Sequence, residues 1–234
     1  MIEWVISSHA GHAMIDEGLF VSFEGPEGSG KSTQIRLLAE ALGRLGYRVT
    51  QTREPGGSPV GREIRRLLLN TPVKPSPDAE LFLFLADRAD HVASIIRPAL
   101  ERGEVVLCDR YADSTFAYQG GGRGLSLPRL RRLNREATGG LNPHLTFLLD
   151  IPAEKGLARA GKREAGKKDR MEKEKLAFHR RVRSAFLRFA KAEPKRIKVL
   201  DAGRTIEDLS AEILKRVEVR LRPGTLGSSR KRSR

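Results

Sequence analysis

The residues best suited to chemistry lie between Gly25 and Thr33. Gly25-Pro26-Glu27-Gly28-Ser29-Gly30-Lys31-Ser32-Thr33 is a Gly-x4-Gly-Lys-[Ser/Thr] run, and its residue types suit the holding of phosphate. Glycine reaches backbone conformations closed to other residues, so successive N–H groups can point inward at an anion. Lys31 brings a full positive charge toward β- and γ-phosphates. Ser32 supplies a hydroxyl for Mg²⁺, a hard cation that takes oxygen ligands. These roles require a particular setting. Phe20-Val21-Ser22-Phe23 ahead of the loop reads as a strand, and Ile35, Leu38, Ala39, Leu42 and Leu45 behind it mark an amphipathic helix. The N-terminal dipole of that helix also favours an anion. Strand, loop and helix in that order form the setting of a P-loop, which implies a nucleotide's phosphates and Mg²⁺ as its ligands.

Further candidates lie where strands end. Glu104-Val105-Val106-Leu107-Cys108-Asp109 is an apolar run closed by an acid. It reads as a buried parallel strand delivering Asp109 to the sheet edge as a partner for Mg²⁺. Arg53-Glu54-Pro55-Gly56-Gly57 follows a β-branched segment, Tyr47 to Thr52, and sets a charged pair on a turn where open parallel sheets bind ligands. Phe84 and Arg88 are four apart on one face of a long helix expected from about Pro77 to Arg102, with Pro98 placed to kink its last turn. On pattern alone Phe84 reads as core. The single cysteine, Cys108, excludes an internal disulfide framework and reads as a small buried hydrophobe suited to a reducing cytoplasm.

The elements that position these residues alternate. Strands ending at Phe23, Thr52, Asp109, Asp150 and Asp201 are separated by helices, which gives one α/β domain with a five-stranded parallel sheet covered on both faces, a P-loop NTPase fold. The domain spans 18–221. Residues 1–17 read as an N-terminal extension, with Met14 at a place where a compact domain could begin. Residues 222–234 read as a basic, disordered tail. Gly120-Gly121-Gly122-Arg123-Gly124 reads as a mobile surface loop at the substrate mouth. A helix from Glu154 gives way near Gly161 to a cationic stretch without apolar anchors, which reads as a short mobile lid over about 159–170. The next helix is expected from Met171.

The formal net charge of +15 suggests polyanionic partners, but six of the positive charges fall in the last fifteen residues, where there are no acids. A solvated arm accounts for them, and no specific nucleic-acid partner is expected. No apolar run approaches the roughly 20 residues a membrane span needs.

With these segments in order, the chain resembles the bacterial thymidylate kinase family from about Leu19 to Arg216. The motifs that carry the resemblance are Phe23-Glu24-Gly25 through Lys31-Ser32-Thr33-Gln34, Arg53-Glu54-Pro55-Gly56-Gly57, Asp109-Arg110-Tyr111, Ala117 through Gly124, and Asp169-Arg170-Met171-Glu172. The resemblance implies phosphoryl transfer from MgATP to dTMP by a homodimer. It implies that Glu27 faces the acceptor and that Arg65 and Arg110 hold its phosphate. Phe84 would stack on thymine, Arg88 bond its carbonyl edge, and Thr115 and Gln119 contact the base. Tyr118 would crowd the ribose 2′ position, and Glu54 and Pro55 complete the substrate side. The P-loop lacks the arginine found there in some members, so a lid arginine is expected to supply that charge, with Arg159, Arg163 and Arg170 as candidates. Other readings of the same residues are another nucleoside monophosphate kinase, a deoxynucleoside kinase, and a P-loop ATPase that binds nucleic acid through its tail.

Overall fold

The computed structural model describes residues 18–70, 74–163 and 169–222, with Arg163 described through its backbone alone. The expected N-terminal extension, the tail from 223 and lid residues 164–168 lie outside the described residues. Five strands, β1 (Leu19–Glu24), β2 (Val49–Arg53), β3 (Val105–Asp109), β4 (Leu145–Asp150) and β5 (Ile197–Asp201), form one sheet in the order β2-β3-β1-β4-β5. All neighbours pair in parallel, as the alternation of strands and helices requires.

The two-residue period of a strand divides the core. Leu19, Val21 and Phe23 of β1 pack with Leu38 and Leu42 of α1 (Lys31–Arg44) and with Ile213 and Val217 of α9 (Ile206–Leu221). Phe20, pointing the other way, packs with Val106, Cys108 and Tyr111. Because β1, β3 and β4 are covered on both faces, they read as continuous apolar runs rather than alternating ones. Burial pushes the Cys108 thiol well above its ordinary ionisation range, in keeping with a core residue rather than a nucleophile.

Serine caps and following prolines set the helices beside the sheet's C-terminal edge. Ser58 accepts from Gly61 N (2.9 Å) at the start of α2 (Pro59–Leu69), and Ser76 from Ala79 N (3.3 Å) at the start of α3 (Pro77–His91). The expected single helix to Arg102 is interrupted. After α3 the chain widens into a π-helical stretch, Val92–Ile96, before α4 (Arg97–Glu101). Pro98 cannot donate a backbone hydrogen bond and crowds the preceding turn, and widening relieves both.

Two expectations are corrected. The glycines after α5 (Ala112–Thr115) do not form a loose loop: Phe116–Gly122 is a π-helical stretch packed on α8 (Leu176–Ala192). A Cβ on Gly121 would lie 2.5 Å from Ala185 Cβ, and one on Gly122 2.4 Å from the Phe178 ring. These glycines serve close approach, not mobility. Gly122→Ala is therefore expected to destabilise the fold by about 1–3 kcal/mol. Gly43→Ala, on the open face of α1 with no atom near its missing Cβ, should instead raise stability by about 0.4–1 kcal/mol. Thermal melts of both variants check this, and equal melting temperatures would refute the packing role.

The second correction concerns the segment around the lid. α6 spans Leu127–Thr138, α7 (Ala153–Arg163) continues through Gly161, and α8 begins at Leu176, five residues later than expected. Asp169 Oδ1 accepts from Met171 N (2.8 Å) and Glu172 N (2.9 Å), which folds the intervening residues into turns.

Candidate active site

The sheet's C-terminal edge carries Glu24, Arg53, Asp109, Asp150 and Asp201, one charged strand end after another. A cavity of about 470 Å³ opens there. At one end it is lined by Glu27, Gly28, Ser29, Gly30, Lys31 and Ser32, and at the other by Phe84, Arg88, Thr115, Tyr118 and Gln119. Arg53, Arg65, Asp109 and Arg110 also line it.

The phosphate end is made by backbone. Gly28 and Gly30 take φ values of +67° and +92° in the left-handed region, which suits glycine. A Cβ on Gly28 would lie 2.0 Å from the Gly156 carbonyl oxygen in the first turn of α7, so the loop also requires glycine for space. Gly30 stands at the start of α1 and makes no side-chain cap, which leaves the helix's first N–H groups for an anion. Lys31 is buried and donates to Gly25 O (3.2 Å), Pro26 O (3.1 Å) and Ser29 Oγ (3.4 Å). Burial and the nearby Arg110 lower its pKa, opposed by Asp109, Glu27 and Glu24. Gly25, Pro26 and Thr33 do not line the cavity: Gly25 and Pro26 serve through their carbonyls, and Thr33 lies half-buried in the first turn of α1.

Ser32 Oγ donates to Asp109 Oδ2 at 3.0 Å. A hydroxyl and a carboxylate brought together at the phosphate end are hard oxygen donors of the kind Mg²⁺ accepts, so these residues fit that ion.

Arg110 joins the two ends. Its φ of +71° is exceptional for a side-chain-bearing residue. The following turn is held by buried Glu24, which accepts from Tyr111 N (2.8 Å), Ser114 N (3.3 Å) and Ser114 Oγ (2.6 Å). The Arg110 guanidinium donates to Gly25 O (3.0 Å), Ser114 Oγ (3.3 Å) and Glu27 Oε1 (2.7 Å), and lies 5.1 Å from the Tyr118 ring centre. The Tyr118 hydroxyl donates to the same Glu27 oxygen at 2.7 Å. Burial opposes ionisation of Glu27, but Arg110, Lys31 and the Tyr118 hydrogen bond outweigh it and lower its pKa to about 2.

Glu24 shows the opposite balance. Burial and neighbouring Asp113 raise its pKa to about 8, with Ser114, Arg110 and Tyr111 opposing. The folded protein thus holds a proton that the unfolded chain releases near pH 4.5. Stability from this group falls as pH rises from about 4.5 to 8, with a slope of at most about 1.4 kcal/mol per pH unit. Glu24→Gln should remove that decline, and urea titrations of both proteins at pH 5, 6.5 and 8 measure it. Identical pH slopes would show that Glu24 is ionised throughout.

At the far end, α3 presents Phe84, half-buried in the cavity wall, and Arg88, 1% exposed. Arg88 donates to Glu54 Oε2 (2.7 Å), Thr115 Oγ1 (2.9 Å), Asn134 Oδ1 (2.9 Å) and Tyr111 O (3.1 Å). Four of its five N–H donors are thereby committed, which fixes the plane of the guanidinium and leaves one donor over. Glu54 gives its other oxygen to His91 Nδ1 at 2.9 Å. Glu54 and Pro55 line the cavity through a cis peptide bond. Arg65 donates to Pro55 O at 2.9 Å, and burial together with adjacent Arg53 lowers its pKa, the mark of two cations brought together. Gln119 is fixed by donating to Glu80 Oε1 at 2.9 Å.

The lid arginines are placed differently from expectation. Arg170 does not line the cavity; it donates to Leu68 O and Glu80 Oε2, both at 2.7 Å. Arg159 donates to Ala202 O at 2.9 Å. Arg163 closes α7, and its side chain lies outside the described residues. Sequence reading passed over Glu24, Glu80, His91 and Asn134. Only Glu80 carried a signal, lying four residues before Phe84 and eight before Arg88.

The parallel sheet, the uncapped P-loop helix and a cavity that runs from it to an aromatic wall define a P-loop phosphotransferase. The family model described as Thymidylate kinase matches residues 23–213. A thymidylate kinase of Deinococcus radiodurans is 54% identical over 199 residues, covering 85% of this chain and 96% of that protein. One from Syntrophotalea carbinolica is 51% identical, covering 83% and 92%. The crystal structure of thymidylate kinase from Ehrlichia chaffeensis superposes with a TM-score of 0.70 at 32% identity, covering 86% of this chain and 99% of that one. The chain belongs to the thymidylate kinase family.

Proposed function

We propose that the cavity seats two nucleotides end to end, ATP over the P-loop and dTMP against Phe84, and that the chain transfers the γ-phosphoryl group to the dTMP 5′-phosphate. An acceptor phosphate oxygen bonds to the γ-phosphorus as its bond to the β–γ bridging oxygen breaks, giving dTDP and ADP. The observation that supports this most directly is the single cavity with a backbone-lined anion cradle at one end and a half-buried aromatic ring at the other. An anionic acceptor needs little general-base help, so the residues act by positioning and by neutralising charge.

Lys31 and the N–H groups of Gly28 to Thr33 hold the ATP phosphates. Ser32 and Asp109 would hold Mg²⁺, which supplies positive charge beside the phosphate oxygens when bound. Arg65 and Arg110 hold the acceptor phosphate, since the guanidinium fork suits paired oxygens. Phe84 stacks on thymine, Arg88, Thr115 and Gln119 surround its polar edge, and Glu27 and Tyr118 face the sugar. With Arg159 and Arg170 committed elsewhere, Arg163 is the lid arginine assigned to the migrating group.

The chain acts as a homodimer in the cytoplasm, with the face of α3 that carries exposed Ala79, Phe82 and Ala86 covered by a second copy. Phe82, at 51% exposed, is the one exposed aromatic ring among the large apolar residues on the described surface. Among the described residues no helix is long and apolar enough to cross a membrane.

An ATP-consumption assay across dTMP, dUMP, UMP, AMP and thymidine tests the reading. dTMP is expected to give the highest kcat/KM and thymidine none, because only a nucleotide engages Arg65 and Arg110. Preference for another monophosphate would reassign the acceptor.

A further inference from the structure

We infer that Glu80 is a positioning residue for the acceptor nucleotide, and that Arg170 acts through Glu80 on that side of the cavity rather than on the migrating phosphoryl group. The inference rests on the reading that dTMP lies against Phe84. Glu80, Phe84 and Arg88 follow one another at intervals of four along α3 and so share a stripe.

Glu80 is 1% exposed, and a carboxylate so buried needs partners. It has four hydrogen bonds. Oε1 accepts from Gln119 Nε2 (2.9 Å) and Arg123 Nε (3.2 Å), and Oε2 from Arg123 Nη2 (3.1 Å) and Arg170 Nη2 (2.7 Å). Arg123 continues to Glu174 at 2.6 Å and lies 4.7 Å from the Phe178 ring centre. The result is a row of alternating charge, Arg170, Glu80, Arg123 and Glu174, that ties two separate stretches of chain, 119–123 and 169–174, to α3.

Both of those stretches line the cavity. Gln119 does so directly, and Asp169, Met171 and Glu172 do so on either side of Arg170. Arg170 is further held by its backbone N–H to Leu69 O (3.3 Å) and its Nε to Leu68 O. It therefore fastens the 169–172 wall to the far end of the cavity, where Phe84 stands. No bond of Glu80 or Arg170 reaches Lys31, Ser32, Asp109 or Arg110 in the described structure. Loosening the row should change how dTMP is held and leave the phosphate end as it is.

Steady-state kinetics of the full chain, with dTMP and ATP varied separately, provides the test. Arg170→Ala is expected to raise KM for dTMP about 10-fold, the cost of one charge-assisted bond, with kcat and KM for ATP within about threefold. Arg170→Lys keeps a bond to Glu80 and should recover most of the loss. Glu80→Gln should give the same split, and E80Q/R170A should be no worse than the more severe single variant, because both break one contact. If thermal melts show that Glu80→Gln fails to fold, the two Arg170 variants carry the test. A wild-type chain inactive on dTMP would remove the functional reading and this inference together. An active wild type whose Arg170→Ala variant loses kcat about 10²-fold at an unmoved KM for dTMP would overturn the inference alone, placing Arg170 at the phosphoryl group.

Discussion

Lys31→Ala is expected to lower kcat by a factor on the order of 10³ while the cooperative unfolding transition persists. Lys31 is one of the few groups in the cradle that combine a full charge with burial, and its partners are neutral oxygens of its own loop. Those bonds hold the ammonium in place before any phosphate arrives, so little reorganisation is needed when charge shifts toward the leaving oxygen. Removing the side chain leaves Gly25 O its bond from Arg110 (3.0 Å) and touches neither β1 nor the packing face of α1, so the fold survives. Lys31→Met keeps the volume of the stem and isolates the charge. Burst kinetics with saturating ATP and dTMP, together with a melt followed by circular dichroism, test the expectation. A kcat within tenfold of wild type would remove Lys31 from the chemistry.

Arg110→Ala should lower kcat/KM for dTMP by a comparable factor, on the order of 10³. This guanidinium has several duties: it bonds the P-loop at Gly25 O, pairs with Glu27, and lies over Tyr118. Arg110→Lys retains charge but loses the planar fork and should recover little. Arg110→Gly serves as a control for backbone strain, since glycine accepts a φ of +71° that costs alanine roughly 1 kcal/mol. A pH signature follows as well. Glu27, with its pKa lowered to about 2, contributes stability that is complete above about pH 4.5 and lost as pH falls toward 2. Without Arg110 that lowering shrinks, so acid unfolding should depend less steeply on pH over this range. An unchanged acid limb would mean that Arg110 does not set the ionisation of Glu27.

Much of the fold was legible because its strongest signals are local. Apolar runs marked the buried strands, and the P-loop announced itself through residues adjacent in sequence. One interval of four put Phe84 and Arg88 on a shared helical face, but on that pattern alone Phe84 reads as core, and its expected role came from the resemblance. The row through Glu80 was not legible, because it joins residues up to 94 positions apart, Glu80 to Glu174, and charge pairs across such distances leave no periodic trace. Gly120 to Gly122 misled for a related reason. A glycine shows what it permits, and only its neighbours in space decide whether that is movement or close packing. The start of α8 was misplaced because Asp169 folds the chain into turns where helix propensity alone would have continued it.

The approach of Gly28 to Gly156 constrains substitution in a way side-chain contacts do not. Where two side chains meet, enlarging one can be offset by trimming the other. Here each glycine faces a main-chain carbonyl, with Gly156 standing 2.3 Å from Glu27 O were it given a Cβ. A carbonyl cannot be trimmed, so no second-site change at the partner position restores the space. In a saturation library covering both positions, active clones should retain glycine at each, and pairwise rescue should be absent.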